Sequence, residues 1–118
     1  MENQDVYALD DDHPIPNLDV VDINTVKKNG GSDLFIVVAT PLSGDQKSLK
    51  RLLRKVERYL EFLKTKEFRS ESGVPNPENT NIIVKLHPKS DRSAFDLLER
   101  SEDWVKSNGA SLTVDTHF

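Results

Sequence analysis

Polar and apolar residues alternate along several stretches of the chain, and this two-residue period predicts β-strands. A first strand is predicted over residues 19–28, with Ile23 on its buried face, and a second over residues 34–39, which is apolar on both faces. The glycines between them favour a hairpin turn. Alternation returns over residues 81–87 and 110–116. The chain is therefore expected to form four strands.

Two further stretches follow the 3.6-residue period of an amphipathic helix. The first helix is predicted over residues 44–66, with Ser43 and Gln46 as a capping box at its start. The side opposite its apolar stripe is interpreted as a solvated basic face, with a nucleic-acid site as the alternative. This basic face carries six residues: Lys47, Lys50, Arg51, Arg54, Lys55 and Arg58.

A second helix is predicted to start at Ser90 and to run to about residue 108, with Trp104 on its buried stripe. Residues 67–79, between the helices, are polar and rich in proline, so we expect them to lack regular structure. Phe62 falls outside the apolar stripe of the first helix. We expect it to pack beneath this connection together with Phe68.

The order of the elements predicts one two-layer α/β (α+β) domain, strand–strand–helix–strand–helix–strand. If the sheet grows outward in sequence order, 1-2-3-4, right-handed crossovers between parallel strands place both helices on one face of a mixed four-stranded sheet. The other face would stay open. It is expected to be largely polar, because it would carry Asp22, Asn24, Lys85, Thr113 and Asp115.

A length of 118 residues fits a single domain. This domain is assigned to residues 19–118. Residues 1–18 are predicted to be an acidic, flexible N-terminal segment, because the run Asp10 to Asp12 and two prolines oppose regular pairing. A metal site at Asp10–His13 is disfavoured, since adjacent side chains on a flexible segment point in different directions.

Composition narrows the classes of function. The chain has no cysteine, which excludes disulfides, thiolate nucleophiles and zinc-finger sites and is compatible with a reducing compartment. Its net charge of −4 argues against binding to duplex nucleic acid. No apolar run approaches the roughly 20 residues of a membrane span. A cytoplasmic protein without a membrane partner is expected.

One constellation could support chemistry. His87 ends the third strand, and Asp115 and His117 end the fourth, where open α/β sheets place their ligands. The three could form a metal site, or a general base with an orienting carboxylate. We favour the simpler interpretation of surface histidines near a chain end. No catalytic, metal or cofactor site is therefore assigned, and no cofactor is expected.

Three hydrophobic patterns carry a resemblance to known proteins: residues 20–23 in the first strand, 59–63 late in the first helix and 82–85 in the third strand. In these patterns, and over about residues 19–116, the chain resembles a family of small bacterial α/β domains of unknown function. The resemblance implies a bacterial source and a compact domain, and it brings no site residues.

The sequence thus favours a non-catalytic domain that binds another protein or forms a homodimer, with an immunity-like or antitoxin-like protein as one version. The alternative is a small metal-dependent or hydrolytic enzyme that uses His87, Asp115 and His117.

Overall fold

Four strands form one mixed sheet in the order β1-β2-β3-β4. The computed structural model describes residues 8–28 and 30–117. The hairpin strands β1 and β2 are antiparallel, and β2, β3 and β4 are parallel. The strands are β1 (Ile23–Val26), β2 (Ser32–Val38), β3 (Thr80–Leu86) and β4 (Ser111–Asp115). The predicted strand order is confirmed.

Helices cover one face of this sheet. The side chains of β2 and β3 that point to the helices are fully buried, at 0% exposure, and those on the other face are only half-buried. Because both parallel crossovers advance in the same direction across the sheet, they place their helices on the same side. The helical segments are α1 (Gln46–Leu63), α2 (Lys66–Ser72), α3 (Arg92–Arg100) and α4 (Glu102–Ser107). The α+β fold class is confirmed, although the second predicted helix is divided into α3 and α4, and α2 lies in the connection that was predicted to lack regular structure.

The first helix ends earlier than predicted, and the connection after it is partly helical. Thr65 caps α2, accepting the N–H of Phe68 at 3.2 Å on its side-chain oxygen. Phe68 is buried, and its ring lies 5.3 Å from that of Phe62 in an edge-to-face arrangement. The predicted contact between these two rings is therefore confirmed. It packs α2 against α1 in a region that was predicted to be a loop.

The predicted helix starts were wrong by one or two residues. Asp45 caps α1 by accepting the N–H of Ser48 at 2.8 Å, and Asp91 caps α3 by accepting the N–H of Ser93 at 3.0 Å. Ionised carboxylates are strong caps near the positive end of a helix. Neither neighbouring serine caps its helix: Ser43 Oγ lies 3.1 Å from Ser48 Oγ, and Ser90 Oγ accepts the N–H of Leu42 at 3.0 Å.

The second predicted helix breaks at Ser101, which ends α3 and precedes α4. The Ser101 hydroxyl donates to the carbonyl of Leu97 at 2.7 Å. The buried positions of α3, Ala94 and Leu98, continue through Ser101 to Val105, and this line does not include Trp104. Trp104 is consequently 36% exposed, and its predicted burial was wrong. Val105 supplies the buried side chain of α4.

Residues 8–22, here called the strap, lie across α1. Ile15 and Leu18 are 2% and 3% exposed and belong to the hydrophobic core. A single β-bridge between Leu9 and Asn17 closes the strap into a narrow loop. The packed unit thus includes part of the segment that was predicted to be flexible. Its flexibility stays a prediction, and residues 1–7 lie outside the described residues.

β1 is shorter than predicted because its hairpin opens at Asp22. Here the hydroxyl of Tyr59 lies between the two chains: it accepts the N–H of Asp22 at 2.7 Å and donates to the carbonyl of Phe35 at 2.5 Å. Tyr59 is fully buried, and this burial raises its pKa far above its usual value. The hydroxyl therefore joins the two chains at the point where the ladder between β1 and β2 stops.

Within the part of the chain that the structure describes, no helix has the length and apolar character needed to cross a lipid bilayer.

Tyr59→Phe is expected to lower the free energy of unfolding by about 1–3 kcal/mol, because it leaves two backbone groups without a partner. Urea denaturation followed by circular dichroism measures this change. Ser70→Ala removes an exposed helical hydroxyl and should change stability by less than about 0.5 kcal/mol. Equal losses of stability in Tyr59→Phe and Ser70→Ala would contradict the role of the Tyr59 hydroxyl as a bridge between the two chains.

Candidate functional site

The residues nominated for chemistry lie at or just beyond the carboxyl ends of β3 and β4. Asp115 Oδ1 accepts the backbone N–H of His117 at 2.9 Å and lies 3.1 Å from the Nδ1 of the same residue. The His117 amide is also the first reason that the pKa of Asp115 is lowered. The side chain of His117 is 95% exposed. The structure thus brings Asp115 and His117 together on the protein surface.

On the neighbouring strand β3, the residue beside Asp115 is Lys85. The parallel register pairs these two residues, and Lys85 Nζ lies 3.4 Å from the Asp115 carboxylate. His87 follows the strand, and its Nδ1 accepts the N–H of Lys89 at 3.0 Å. Among residues 8–28 and 30–117, no group of three or more histidine, aspartate or glutamate side chains is arranged to hold a metal ion.

A histidine–serine pair that the sequence did not suggest lies at the start of α1. His13 Nε2 is 2.9 Å from Ser48 Oγ, and His13 Nδ1 accepts the N–H of Ile15 at 2.9 Å. A neutral imidazole nitrogen that accepts an amide proton carries none itself, so Nε2 holds the ring proton and donates to Ser48. In this state His13 cannot take the Ser48 proton, as activation of a serine nucleophile requires. The pair therefore fastens the strap to α1.

Two buried basic side chains hold the rest of the strap. Arg51 donates from Nε and Nη2 to the carbonyl of Ile15, at 2.9 and 2.6 Å. Lys55 Nζ donates to the carbonyls of Asn17 and Val20, at 2.5 and 2.7 Å. Arg51 and Lys55 are 0% and 2% exposed. Their assignment to a solvated basic face was wrong, because the strap covers this part of α1.

In the sequence, the position of Phe62 indicated that part of the basic face of α1 is covered. At about 100° per residue, Arg51 and Lys55 lie on the same side of α1 as Phe62 and Ser48, next to the core stripe. Phe62 packs against the core and Ser48 is buried. An aromatic residue within a basic helix side therefore indicated that this side is covered.

Ion pairs flank the strap. Lys47 Nζ lies 2.5 Å from the Asp10 carboxylate, and Arg58 lies 3.5 Å from Asp19. The hydrogen bond from Lys47 is the largest cause of the lowered pKa of Asp10. These exposed pairs contribute little to stability individually. They match the acidic strap to the basic helix, so part of each charge is compensated within the chain.

Hydrogen bonds join the two loops that follow the carboxyl ends of β2 and β3. The N–H of Leu42 donates to Ser90 Oγ at 3.0 Å, and the N–H of Asp91 donates to the Leu42 carbonyl at 2.8 Å. A side chain on Gly44 would collide with Asp91 and Ser93. The strand order also runs without the reversal that opens a ligand crevice in doubly wound sheets. These contacts hold together the two loops that follow β2 and β3 at this edge.

The uncovered face of the sheet carries three rows of side chains that run across the strands. The register defines them. The first row is Thr25, Asp33, Asn81 and Ser111. The middle row is Ile23, Phe35, Ile83 and Thr113. The third row is Val37, Lys85 and Asp115. An apolar row thus lies between two largely polar rows.

The prediction that this face is largely polar was wrong in its centre. Ile23 was expected to be buried, but its pairing with Phe35 places it on the uncovered face, where it is 48% exposed. Asn24 pairs with Leu34 and therefore points to the helix side. The error arose from the parity of β1, since a shift of one residue moves every side chain to the other face.

Scans against protein-family models, curated proteins and solved structures found no match to this chain. The resemblance to small bacterial domains stays a prediction.

Lys55→Met is expected to lower the free energy of unfolding by about 3 kcal/mol, because it leaves two carbonyls and the Asp22 carboxylate without their donor. Hydrogen exchange should also become faster in the strap. Lys50→Met, on another side of the same helix, should have an effect below about 0.5 kcal/mol. Unchanged protection of residues 8–22 in Lys55→Met would show that Lys55 does not hold the strap.

His13 should make the stability of the strap depend on pH. Burial, and then the positive charge of Arg51, lower the pKa of His13 from 6.5, while Asp10 and Asp45 oppose this shift and Lys47 supports it. The unfolded chain therefore binds the proton more readily. The contribution of neutral His13 is complete above about pH 6.5 and is lost as the pH falls through the folded-state pKa.

His13→Asn retains an acceptor for the Ile15 amide but does not titrate in this range. Its urea midpoint should fall less than that of the unsubstituted chain between about pH 7.5 and about pH 5.5. His117→Asn removes an exposed histidine and should keep the original pH dependence. The same fall in all three proteins would exclude His13 as the cause.

Proposed function

We propose that this chain is a non-catalytic domain that binds a protein through the uncovered face of its sheet. The observation that carries the proposal is the middle row of that face. Ile23, Phe35 and Ile83 lie side by side on three adjacent strands, on the side of the sheet away from the helices. Contiguous apolar side chains at a surface mark protein-interaction sites more often than scattered ones do.

The polar rows suit the rim of such a surface. Asp33 accepts a hydrogen bond from Asn81 Nδ2 at 2.9 Å and lies 3.2 Å from Lys27 Nζ. On the other side, Lys85 pairs with Asp115 at 3.4 Å. Protein interfaces commonly combine an apolar centre with a polar rim whose groups retain their partners. The uncovered face has this arrangement.

The immunity-like version of the proposal would use acidic groups to attract a basic partner. Between Ala8 and Asp22 the chain carries five aspartates and no lysine or arginine. Asp10, Asp19 and Asp22 already contact basic residues of α1. The strap is therefore partly neutralised by its own helix, which favours apolar recognition at the sheet over charge recognition at the strap. The lack of cysteine supports a cytoplasmic setting for this function.

The enzymatic alternative has one observation in its favour, the contact between Asp115 and the ring of His117. A carboxylate that orients an imidazole is half of a general-base site. A hydrolytic activity that disappears in His117→Ala would favour this alternative over a binding domain.

The proposal is tested by partner capture with a pair of variants. Ile23→Lys places a charge in the middle row, and Leu53→Lys places the same charge on α1, where Leu53 is 39% exposed. Full-length tagged protein is mixed with cell extract that also contains an untagged copy, and a chemical cross-linker fixes weak contacts before capture. The unsubstituted and Leu53→Lys forms should then retain a partner. Ile23→Lys should reduce capture at least about tenfold. Equal capture by both variants would place binding elsewhere.

A further inference from the structure

We infer that the partner of the uncovered sheet face is a second copy of this chain, packed face to face through the middle row. The inference rests on the proposed function, because it names the occupant of the same surface. Two features of the described residues support it, the symmetry of the rows and their charge, and the size of the face sets the expected strength of association.

The rows are self-complementary. The middle row lies between two polar rows. A two-fold axis that lies in the plane between two copies and crosses the middle row therefore places apolar side chains against apolar side chains. The polar rows then meet the polar rows of the other copy on either side. Such an isologous contact is the usual way in which two identical chains associate. Two sheets packed face to face with their strands within about 30° of each other satisfy this geometry.

The charge on the face favours an identical partner. Its rows carry Asp33, Lys85 and Asp115, and each is paired within the chain, Asp33 with Lys27 and Asp115 with Lys85. These four charges sum to zero, although the whole chain has a net charge of −4. A second copy would therefore meet little like-charge repulsion. A strongly basic or acidic partner would gain little electrostatic steering at this face.

The size of the face predicts reversible association. Four strands about 4.8 Å apart, with rows about 6.7 Å apart along them, give a flat area of about 250 Å² per copy. Standard interfaces bury about 800 Å² per partner, and smaller ones are weak and transient. We therefore expect the dissociation constant of the dimer to lie between about 10 µM and about 1 mM.

Sedimentation velocity of the full chain across about 10 µM to about 1 mM tests the inference. The average mass should rise from 13.4 kDa toward twice that value. Ile23→Lys and Thr113→Lys change the two ends of the middle row, and both side chains are exposed, so neither variant disturbs the core. Both should remain monomeric, whereas Leu53→Lys should associate like the unsubstituted chain. Circular dichroism confirms that each variant is folded.

Two results would overturn the inference: an unsubstituted chain that stays monomeric at the highest concentration, or row variants that associate as the unsubstituted chain does. The proposed function fails separately. If the chain is monomeric but captures a different protein that Ile23→Lys loses, the sheet face binds a partner that is not a second copy. If neither self-association nor capture responds to Ile23→Lys, both proposals fall.

Discussion

The burial of Lys55 is the constraint on which the arrangement of the strap, α1 and the sheet edge depends. An ammonium group that is removed from water costs several kcal/mol unless oxygen atoms surround it. Lys55 meets this requirement with the carbonyls of Asn17 and Val20 and with the carboxylate of Asp22, at 3.0 Å. The strap must therefore follow a path that presents these oxygens to α1, and Arg51, one turn earlier, imposes the same condition at Ile15.

Asp22 transmits this constraint to the sheet. One carboxylate oxygen contacts Lys55, and the other accepts the N–H of Val37 at 3.0 Å, at the point where β1 and β2 separate. Tyr59, one turn after Lys55 on α1, fills the gap between the two strands. Because β1 can pair only after this junction, its register begins with Ile23 opposite Phe35. The hairpin turn fixes the same register from its other end, so the apolar middle row begins where the strap ends.

Local patterns were sufficient for the elements and their order, but insufficient for the candidate site. The strand β3 and the body of α1 follow from periodicity, whereas β2 follows from a continuous apolar run that does not specify which of its faces the helices cover. The caps were missed because a serine and an aspartate within two residues compete for the same amide groups. His87, Asp115 and His117 were grouped correctly at one sheet edge, yet the register gives the place beside Asp115 to Lys85.

By itself, the sequence determined the fold class and, for strands placed in sequence order, the separation of the helices from an open sheet face, because hydrophobic periodicity and right-handed crossovers limit the arrangements. The strand order itself came from the structure. Only the tertiary structure decided that Arg51 and Lys55 are buried, that His13 reaches Ser48 and that Ile23 joins Phe35 at the surface. Except for Ile23 and Phe35, which lie in one hairpin, these contacts join residues that are distant in the sequence. A lysine on a helix has the same local pattern whether water or a strap lies above it, so its burial depends on where the remote segment docks.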